Sequence, residues 1–213
     1  MKNYVITIAR GYGSGGSHIA RQLSKDLQIP CYDTEILTMA SDLSGINEKF
    51  FFEANEKIDK GILPFPNRQG AFTWSVFPPQ DKRFLSNENL FAYQAKVILQ
   101  LASAGGPSCI IIGKAANFIL RTFPNTLKLN IQAPLDKCIF NIMDRLVVGE
   151  KEARKAIEQT DKYRSNYYKY YTGREWLDPV EYDLSINTGN IKEDDAAKMV
   201  EAILKERLPQ SFT

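Results

Sequence analysis

Residues 9–20, "ARGYGSGGSHIA", carry Gly11, Gly13, Gly15 and Gly16 between an apolar run and the start of a helical pattern. Glycines in that setting bring backbone N–H groups close to an anion, and the helix dipole behind them favours negative charge. Two spacings coincide. Gly11, Gly13 and Gly16 satisfy G-x-G-x-x-G, with the acids Asp33 and Glu35 about 20 residues on, the form of a dinucleotide-binding turn. Gly11-x4-Gly16 is also the spacing of a triphosphate loop, but Ser17 and His18 stand where Lys and Ser/Thr complete such a loop. The plain alternative is a glycine turn with no ligand. Either binding reading assigns nucleotide contacts to Arg10, Gly11, Gly13, Ser14, Gly15, Gly16, Ser17 and His18. Ser14 and the N–H groups of residues 13–17 are the strongest of these. Ser17 either offers its hydroxyl to Mg²⁺ or caps the helix. His18 leans towards the helix surface, because imidazole is a poor Mg²⁺ ligand.

Other residues invite chemistry by type and place. Asp33 ends a short strand, where a carboxylate can hold Mg²⁺ through water or orient an acceptor; capping the next helix beside Thr34 competes with that role. Glu35 is a second acceptor contact. Lys114 directly follows a buried strand and Gly113, and Asn117 lies one turn on. A phosphate contact suits Lys114 better than a free place at a helix start, which the dipole disfavours. Asp161 and Arg164 are three apart on a helix and share a face, with Arg154 two turns earlier on nearly the same side. Taken alone, that pattern is a solvated ion pair contributing under about 1 kcal/mol. Arg145 precedes "VVGE", with a hinge at Gly149 that would let it swing inward.

The elements that must position these groups follow from hydrophobic pattern. "YVITIA" (4–9) and "CIIIG" (109–113) are unbroken apolar runs, as in strands buried on both faces; "IPCYD" (29–33), "TLKLNIQA" (126–133) and "YDLSINT" (182–188) are weaker strands. Helical spacing fills the gaps. Ile19, Ala20, Leu23 and Leu27 mark one helix, and about Thr34 to Ala40 another. Ser86 caps a third, with Leu90, Tyr93, Val97, Ile98 and Leu101 inward. Pro134 suits position N1 of a helix whose apolar face is Leu135, Ile139, Ile142, Met143 and Leu146. A charged, then tyrosine-rich helix spans about Lys151 to Tyr171, and 192–208 closes the chain with acids early and bases late. Tyrosines 163, 167, 168, 170 and 171 cover too much circumference for one core stripe, so some should pack on an insertion or a second subunit. Strands alternating with helices give an α/β parallel sheet, whose ligands sit off the carboxyl ends of the strands.

Residues 44–85 break this rhythm. They are rich in Phe, Pro and Gly without a sustained period, and read as an insertion covering the site; of Phe50, Phe51, Phe52, Phe65, Phe72, Trp74 and Phe77, most should form its small core and one or two line a nucleobase slot. Composition narrows the function. A net charge of +2 over 213 residues gives no bulk attraction to nucleic acid or membrane, and no apolar stretch is long enough to span one. Cys31, Cys109 and Cys138 form no C-x-x-C pair and read as reduced thiols in a cytoplasmic protein; with His18 the sole histidine, structural zinc is excluded.

A dinucleotide fold would return to its next strand by a compact crossover, whereas about 75 residues separate the second strand from "CIIIG". That length, and a late helix bearing paired Asp and Arg, suit a nucleotide kinase. Three segments, "ITIARGYGSGGSHIARQLSKDLQIPCYDTEIL", "CIIIGKAANFIL" and "DKYRSNYYKYYTGREWLDPVEYDLSINTG", resemble, in order, the glycine loop, the G-R-x-A-D/N-x-x-L segment and the D-K-x-R-x-x-Y-Y lid of the cytidylate kinase-like family of P-loop kinases. The resemblance covers nearly the whole chain. It implies one domain over 1–213: a three-layer α/β/α P-loop kinase fold with a five-stranded parallel sheet, an acceptor-binding insertion at 44–85 and a helical lid at 145–178. It also implies ATP, Mg²⁺ and phosphoryl transfer to a nucleoside monophosphate such as CMP or dCMP, with neither a nucleic acid polymer nor a membrane as partner. Lys114, Arg145, Arg154, Asp161 and Arg164 become the catalytic set, Asp33, Glu35, Lys114 and Asn117 the acceptor site, and Ser17 and Asp33 the Mg²⁺ contacts. Two departures stand out. Ser17-His18 replaces the family's frequent Arg-Glu, and Lys114 replaces an arginine, keeping charge but losing the bidentate fork. The rivals are a nucleotide-binding module without turnover, favoured by the missing loop lysine, and an NAD(P)-binding oxidoreductase, favoured by G-x-G-x-x-G alone.

Overall fold

Val5, Ile6 and Ile8 are all buried, and they divide by parity between two cores. Successive strand side chains point to opposite faces, so a strand apolar at every position must be covered on both sides. The computed structural model, which describes residues 3–59, 76–103 and 105–208 apart from the side chains of 55–59, builds this arrangement. Strands β1 (Val5–Arg10), β2 (Cys31–Tyr32), β3 (Cys109–Ile112), β4 (Thr126–Gln132) and β5 (Leu184–Asn187) form one sheet in the order β2-β3-β1-β4-β5. Every pairing is parallel, with Val5 level with Cys109 on one side and Thr126 on the other. On one face lie α1 (Gly16–Leu27) and, last in the chain, α8 (Glu193–Arg207), joined through Ile19, Leu23, Val200 and Leu204. On the other lie α2 (Glu35–Ser44), α3 (Glu48–Asp59), α4 (Asn87–Leu101) and α7 (Glu150–Thr172). The short α5 (Ala116–Ile119) follows β3, and α6 (Leu135–Leu146) links β4 to α7. A dinucleotide fold would place its second strand beside its first. Here β3 takes that position, which removes the oxidoreductase reading's structural basis.

Several elements differ from the sequence pattern. Helix α2 runs four residues beyond Ala40, to the edge of the 44–85 segment, and that segment is partly regular, with α3 over 48–59. Phe51 is fully buried in the main core, whereas Phe50 and Phe52 are exposed, so three adjacent phenylalanines hide a helical period. Phe65, Phe72 and Trp74 lie outside the described residues, and Phe77 meets the Arg83 guanidinium. Ser86 caps α4 as expected, accepting from Asn89 N–H at 3.2 Å. Pro134 sits at the N-cap of α6 rather than at N1. Leu135 and Leu146 stay 44% and 45% exposed, and Cys138 takes the buried place between them and the core. The tyrosines pack inside the chain, in one cluster with Phe51 and Ala54 of α3 in the 44–85 segment and with α4. Tyr167, Tyr168, Tyr170 and Tyr171 are all buried within the chain, Tyr171 stacking on Phe91 of α4 at 3.9 Å and Tyr170 donating to Glu88.

Candidate functional site: a glycine cradle and a cationic cavity

The glycine loop runs from the end of β1, the central strand, into the first turn of α1. Gly13 has φ +86° and a Cβ there would lie 2.7 Å from the Cys138 carbonyl oxygen, so only glycine fits without distortion. The loop is braced from outside: Thr188 Oγ1 donates to Ser14 O and Asn141 Nδ2 to Gly13 O, both at 2.8 Å. Gly11 N–H is used by Ile131 O, Ser14 N–H by Gly11 O, and Gly16 N–H by Ser14 Oγ. The N–H groups of Gly13, Gly15 and Ser17 have no hydrogen bond among the described residues. No acid stands in the first turn of α1. These unspent donors at a helix N-terminus form an anion cradle that does not depend on a lysine. They open on a cleft of about 420 Å³ that also presents Arg10, Arg21, Arg145 and Arg164.

Arg10 and Arg164 also wall a second cavity, of about 180 Å³, on the far side. Arg10 Nη2 pairs with Asp33 Oδ2 at 2.9 Å, while Arg10 Nε is buried without a partner. Arg164 Nη1 donates to Arg10 O at 2.8 Å and to Asp161 Oδ1 at 3.2 Å. Asp161 Oδ1 in turn accepts from Tyr12 N–H at 2.9 Å. Burial pushes the Asp161 carboxyl up, against the Tyr12 N–H and Arg164. Burial and the nearby Arg10 charge bring Arg164 down to about 10, with Asp161 and Asp33 opposing. Lys114 lines the inner cavity at φ 54° with no hydrogen bond or ion pair among the described residues. Desolvation lowers its ammonium to about 8; Asp33 opposes this, and Arg10 and Arg164 add to it. Tyr163, Tyr167, Tyr168 and Trp176 supply the aromatic wall.

Arg10 and Arg164 line both spaces, Asp161 lines neither, and most of the other expected residues fall to one or the other. Arg10, Asp33, Lys114, Asn117 and Arg164 meet at the inner cavity; Gly11, Gly13, Gly15, Gly16, Ser17, His18 and Arg145 meet at the cleft. Ser14 is buried under the loop. Neither of the helix-capping alternatives is found: Asp33 faces Arg10, and α1 and α2 have no side-chain cap. His18 is exposed, 3.4 Å from Asp194. Glu35 lines neither space; its carboxylate accepts from Asp33 N–H, which lowers its pKa. Asn117 is committed to structure through Nδ2, which donates to Tyr168 Oη at 2.9 Å. Asp161 is no solvated ion pair, and it holds loop backbone. Arg154 stands apart, paired with Glu150 at 3.3 Å. Sequence reasoning missed Tyr12 and Thr188; an aromatic between two loop glycines and a hydroxyl just past a strand end were the available signals. Among the described residues no cluster of three or more His, Cys, Asp or Glu could hold a metal. Mg²⁺ commonly takes one or two carboxylates plus substrate phosphates and water rather than such a cluster.

The model of the cytidylate kinase-like family matches residues 5–190. The chain belongs to that family. Its fold recurs in a crystal structure of an uncharacterized protein from Eubacterium ventriosum ATCC 27560, at 23% identity and TM-score 0.70, covering 95% of this chain and 99% of that one. It also recurs in a sugar kinase from Janibacter sp. HTCC2649 (13% identity, TM-score 0.53, 95% of each chain). Shikimate kinase from Bacteroides thetaiotaomicron is similar at 8% identity and TM-score 0.50, with 96% and 99% covered. Among curated protein sequences none matches. The five-stranded parallel sheet of this cytidylate kinase-like chain is thus that of the P-loop kinases, and its cradle and cationic cavity lie at the end of the sheet where such folds bind ligands. No helix among the described residues is long and apolar enough to cross a membrane.

Proposed function

We propose that this cytidylate kinase-like protein transfers the γ-phosphoryl group of ATP to a small phosphorylated acceptor, a nucleoside monophosphate such as CMP or dCMP. One observation carries the reading: unspent donors lie on both sides of a shared wall of arginines. Gly13, Gly15 and Ser17 line the cleft with their N–H groups unbonded, Lys114 lines the inner cavity, and Arg10, whose Nε is buried without a partner, borders both with Arg164. A donor triphosphate in the cradle and an acceptor phosphate at Lys114 would meet at those arginines. Phosphoryl transfer asks mainly for alignment and charge stabilisation, which is what this layout supplies. An acceptor phosphate oxygen bonds to the γ-phosphorus as the bond to the ADP oxygen breaks, so no covalent enzyme intermediate arises. Mg²⁺ bound with the phosphates would neutralise charge, and Asp33 is the carboxylate to hold it through water. The work of the absent loop lysine falls to Arg145 and Arg164. The thiols of Cys31, Cys109 and Cys138, raised to about 11 chiefly by burial, suit a reducing cytoplasm.

A second reading has its own support. Asp161 accepts from the Tyr12 N–H and Arg164 donates to Arg10 O, so two groups expected at substrate are spent on the loop backbone. A nucleotide-binding module that does not turn over would look like this. The test incubates the protein with Mg²⁺-ATP and each nucleoside monophosphate, resolving products by chromatography, beside Lys114→Ala and Arg164→Ala. A diphosphate product that disappears in both variants supports the kinase. Saturable ATP binding with no product favours the module, and no ATP binding sinks both.

A further inference from the structure

Tyr12 is the side chain of the glycine loop that neither the sequence pattern nor the proposed transfer accounts for. Its ring is half-buried and packs against the seam between α6 and α7, formed by Cys138, Ile139, Ile142, Ala153 and Ile157. Two guanidinium groups from that region approach it: Arg145 at 4.8 Å and Arg164 at 5.6 Å from the ring centroid. Both lie within the range where a cation is attracted to the ring quadrupole. Its backbone N–H is used by Asp161 of α7. Its hydroxyl makes no hydrogen bond among the described residues, so the aromatic face is what the position exploits. Arg145 is otherwise exposed at the end of α6 and has no ion pair among the described residues. An arginine of that kind samples many rotamers unless a partner restrains it.

From these contacts we infer that Tyr12 is a positioning residue: its ring fixes the guanidinium groups of Arg145 and Arg164 at the glycine loop and locks the α6–α7 corner to it. Backbone and ring act together. The N–H holds α7 through Asp161, and the ring holds the end of α6 through Arg145. Loop and lid then move as one body, and both arginines arrive together at the cleft that the cradle lines. The effect on nucleotide affinity rests on the reading of that cleft as an ATP site; the joint itself does not.

The test therefore begins without nucleotide. Hydrogen exchange of the free, full chain is followed over residues 145–165 in Tyr12→Leu and Tyr12→Phe, with the amides of β1 as internal reference. Tyr12→Leu should exchange roughly tenfold faster across 145–165 while β1 stays at the wild-type rate, and Tyr12→Phe, which keeps the ring, should restore slow exchange. Arg145→Ala removes the other half of the contact and should loosen the same segment, which keeps the test available if Tyr12→Leu does not fold. Calorimetry with Mg²⁺-ATP should then show about fivefold to tenfold weaker binding in Tyr12→Leu, recovered in Tyr12→Phe. Unchanged exchange at 145–165, equal acceleration of β1, or a phenylalanine variant that behaves like leucine overturns the proposal. The exchange pattern without any ATP binding by the wild type upholds the joint and rejects the kinase reading.

Discussion

The cleft and the inner cavity share two arginines but are made of different material. The cleft takes its anion donors from backbone: the N–H groups of Gly13, Gly15 and Ser17, set by loop conformation. The inner cavity takes its donors from side chains, Arg10 and Lys114, which must carry charge in a place that burial makes costly for charge. A backbone cradle keeps its polarity at any pH and with any side chains around it, provided the chain holds its shape. A side-chain cavity keeps its shape under substitution but loses its polarity when one group titrates or is replaced. On the proposed reading, this difference is how a chain without the usual loop lysine would still hold a phosphate. Lys114, by contrast, shares its cavity with Arg10 and Arg164, which are already bonded to Asp33, Asp161 and the Arg10 carbonyl oxygen.

The comparison breaks most sharply at Gly13. Gly13→Val puts a β-branched residue at φ +86° and drives a Cβ into the Cys138 carbonyl oxygen. The loop must move, and three aligned donors go with it. Mg²⁺-ATP binding measured by calorimetry should fall by more than about 100-fold, while far-UV circular dichroism keeps its helical signal. A variant that binds ATP within about threefold of wild type would show that side chains, not backbone, hold the donor.

Lys114 sharpens the other half. Its ammonium is protonated below about pH 8 and neutral above, so acceptor affinity should be lost as pH rises through about 8. Acceptor KM should climb roughly tenfold between about pH 7 and about pH 9, and Lys114→Arg should flatten the profile because guanidinium stays charged. Stability runs the opposite way. Between about 8 and the ordinary lysine value of 10.5 the unfolded chain keeps a proton that the native chain has released. The folded state therefore gains stability as pH rises across that window, and below about 8 the penalty of burying the charge is present in full. At pH 7, Lys114→Met should raise the melting temperature, by on the order of 1 kcal/mol of stability, while acceptor binding collapses. A variant that loses both stability and binding would mean that the ammonium has a structural partner.

The sheet was readable because β1 and β3 are apolar at every position, a pattern that only a doubly covered strand needs. Helix α3 was not, because Phe50, Phe51 and Phe52 are equally apolar and only Phe51 is inside. The tyrosines of α7 left two packings open, on the insertion or on a second subunit, and the structure packs them in one cluster with Phe51 and Ala54 of α3 and with α4. Their hydroxyls are satisfied inside the chain, by Gln94, Glu88 and Glu181 among others, so a wide tyrosine face can be buried without a partner subunit. At the site, residue types and spacing marked Asp161 and Arg164, but their partners are the Tyr12 N–H and the Arg10 carbonyl oxygen. Backbone atoms leave no trace in sequence, so the pair looked like surface charge. Lys114 was singled out by its position after β3 and lines the inner cavity, yet nothing in a sequence reports how far a cavity desolvates an ammonium.

Arg154 tests whether the boundary between the two spaces and the rest of α7 is real. Helical spacing puts it near the face of Asp161, and family resemblance put it in the catalytic set. The structure instead pairs it with Glu150 one turn away, beside Leu135, Phe140 and Met143 on the outer surface of the α6–α7 corner. Its side chain is 44% exposed, and an i,i+4 pair in such a place is worth about 0.3–0.5 kcal/mol. Arg154→Ala should thus change kcat/KM by less than about twofold and leave ATP affinity unchanged, with a slight loss of helix stability that vanishes in high salt. A fall of roughly 100-fold would mean that the lid turns this arginine inward when substrates bind, rotating α7 away from its present grip on the loop. In that case the Asp161–Tyr12 contact would have to break during the cycle, and the cleft and the inner cavity would be two states of one site rather than two halves of it.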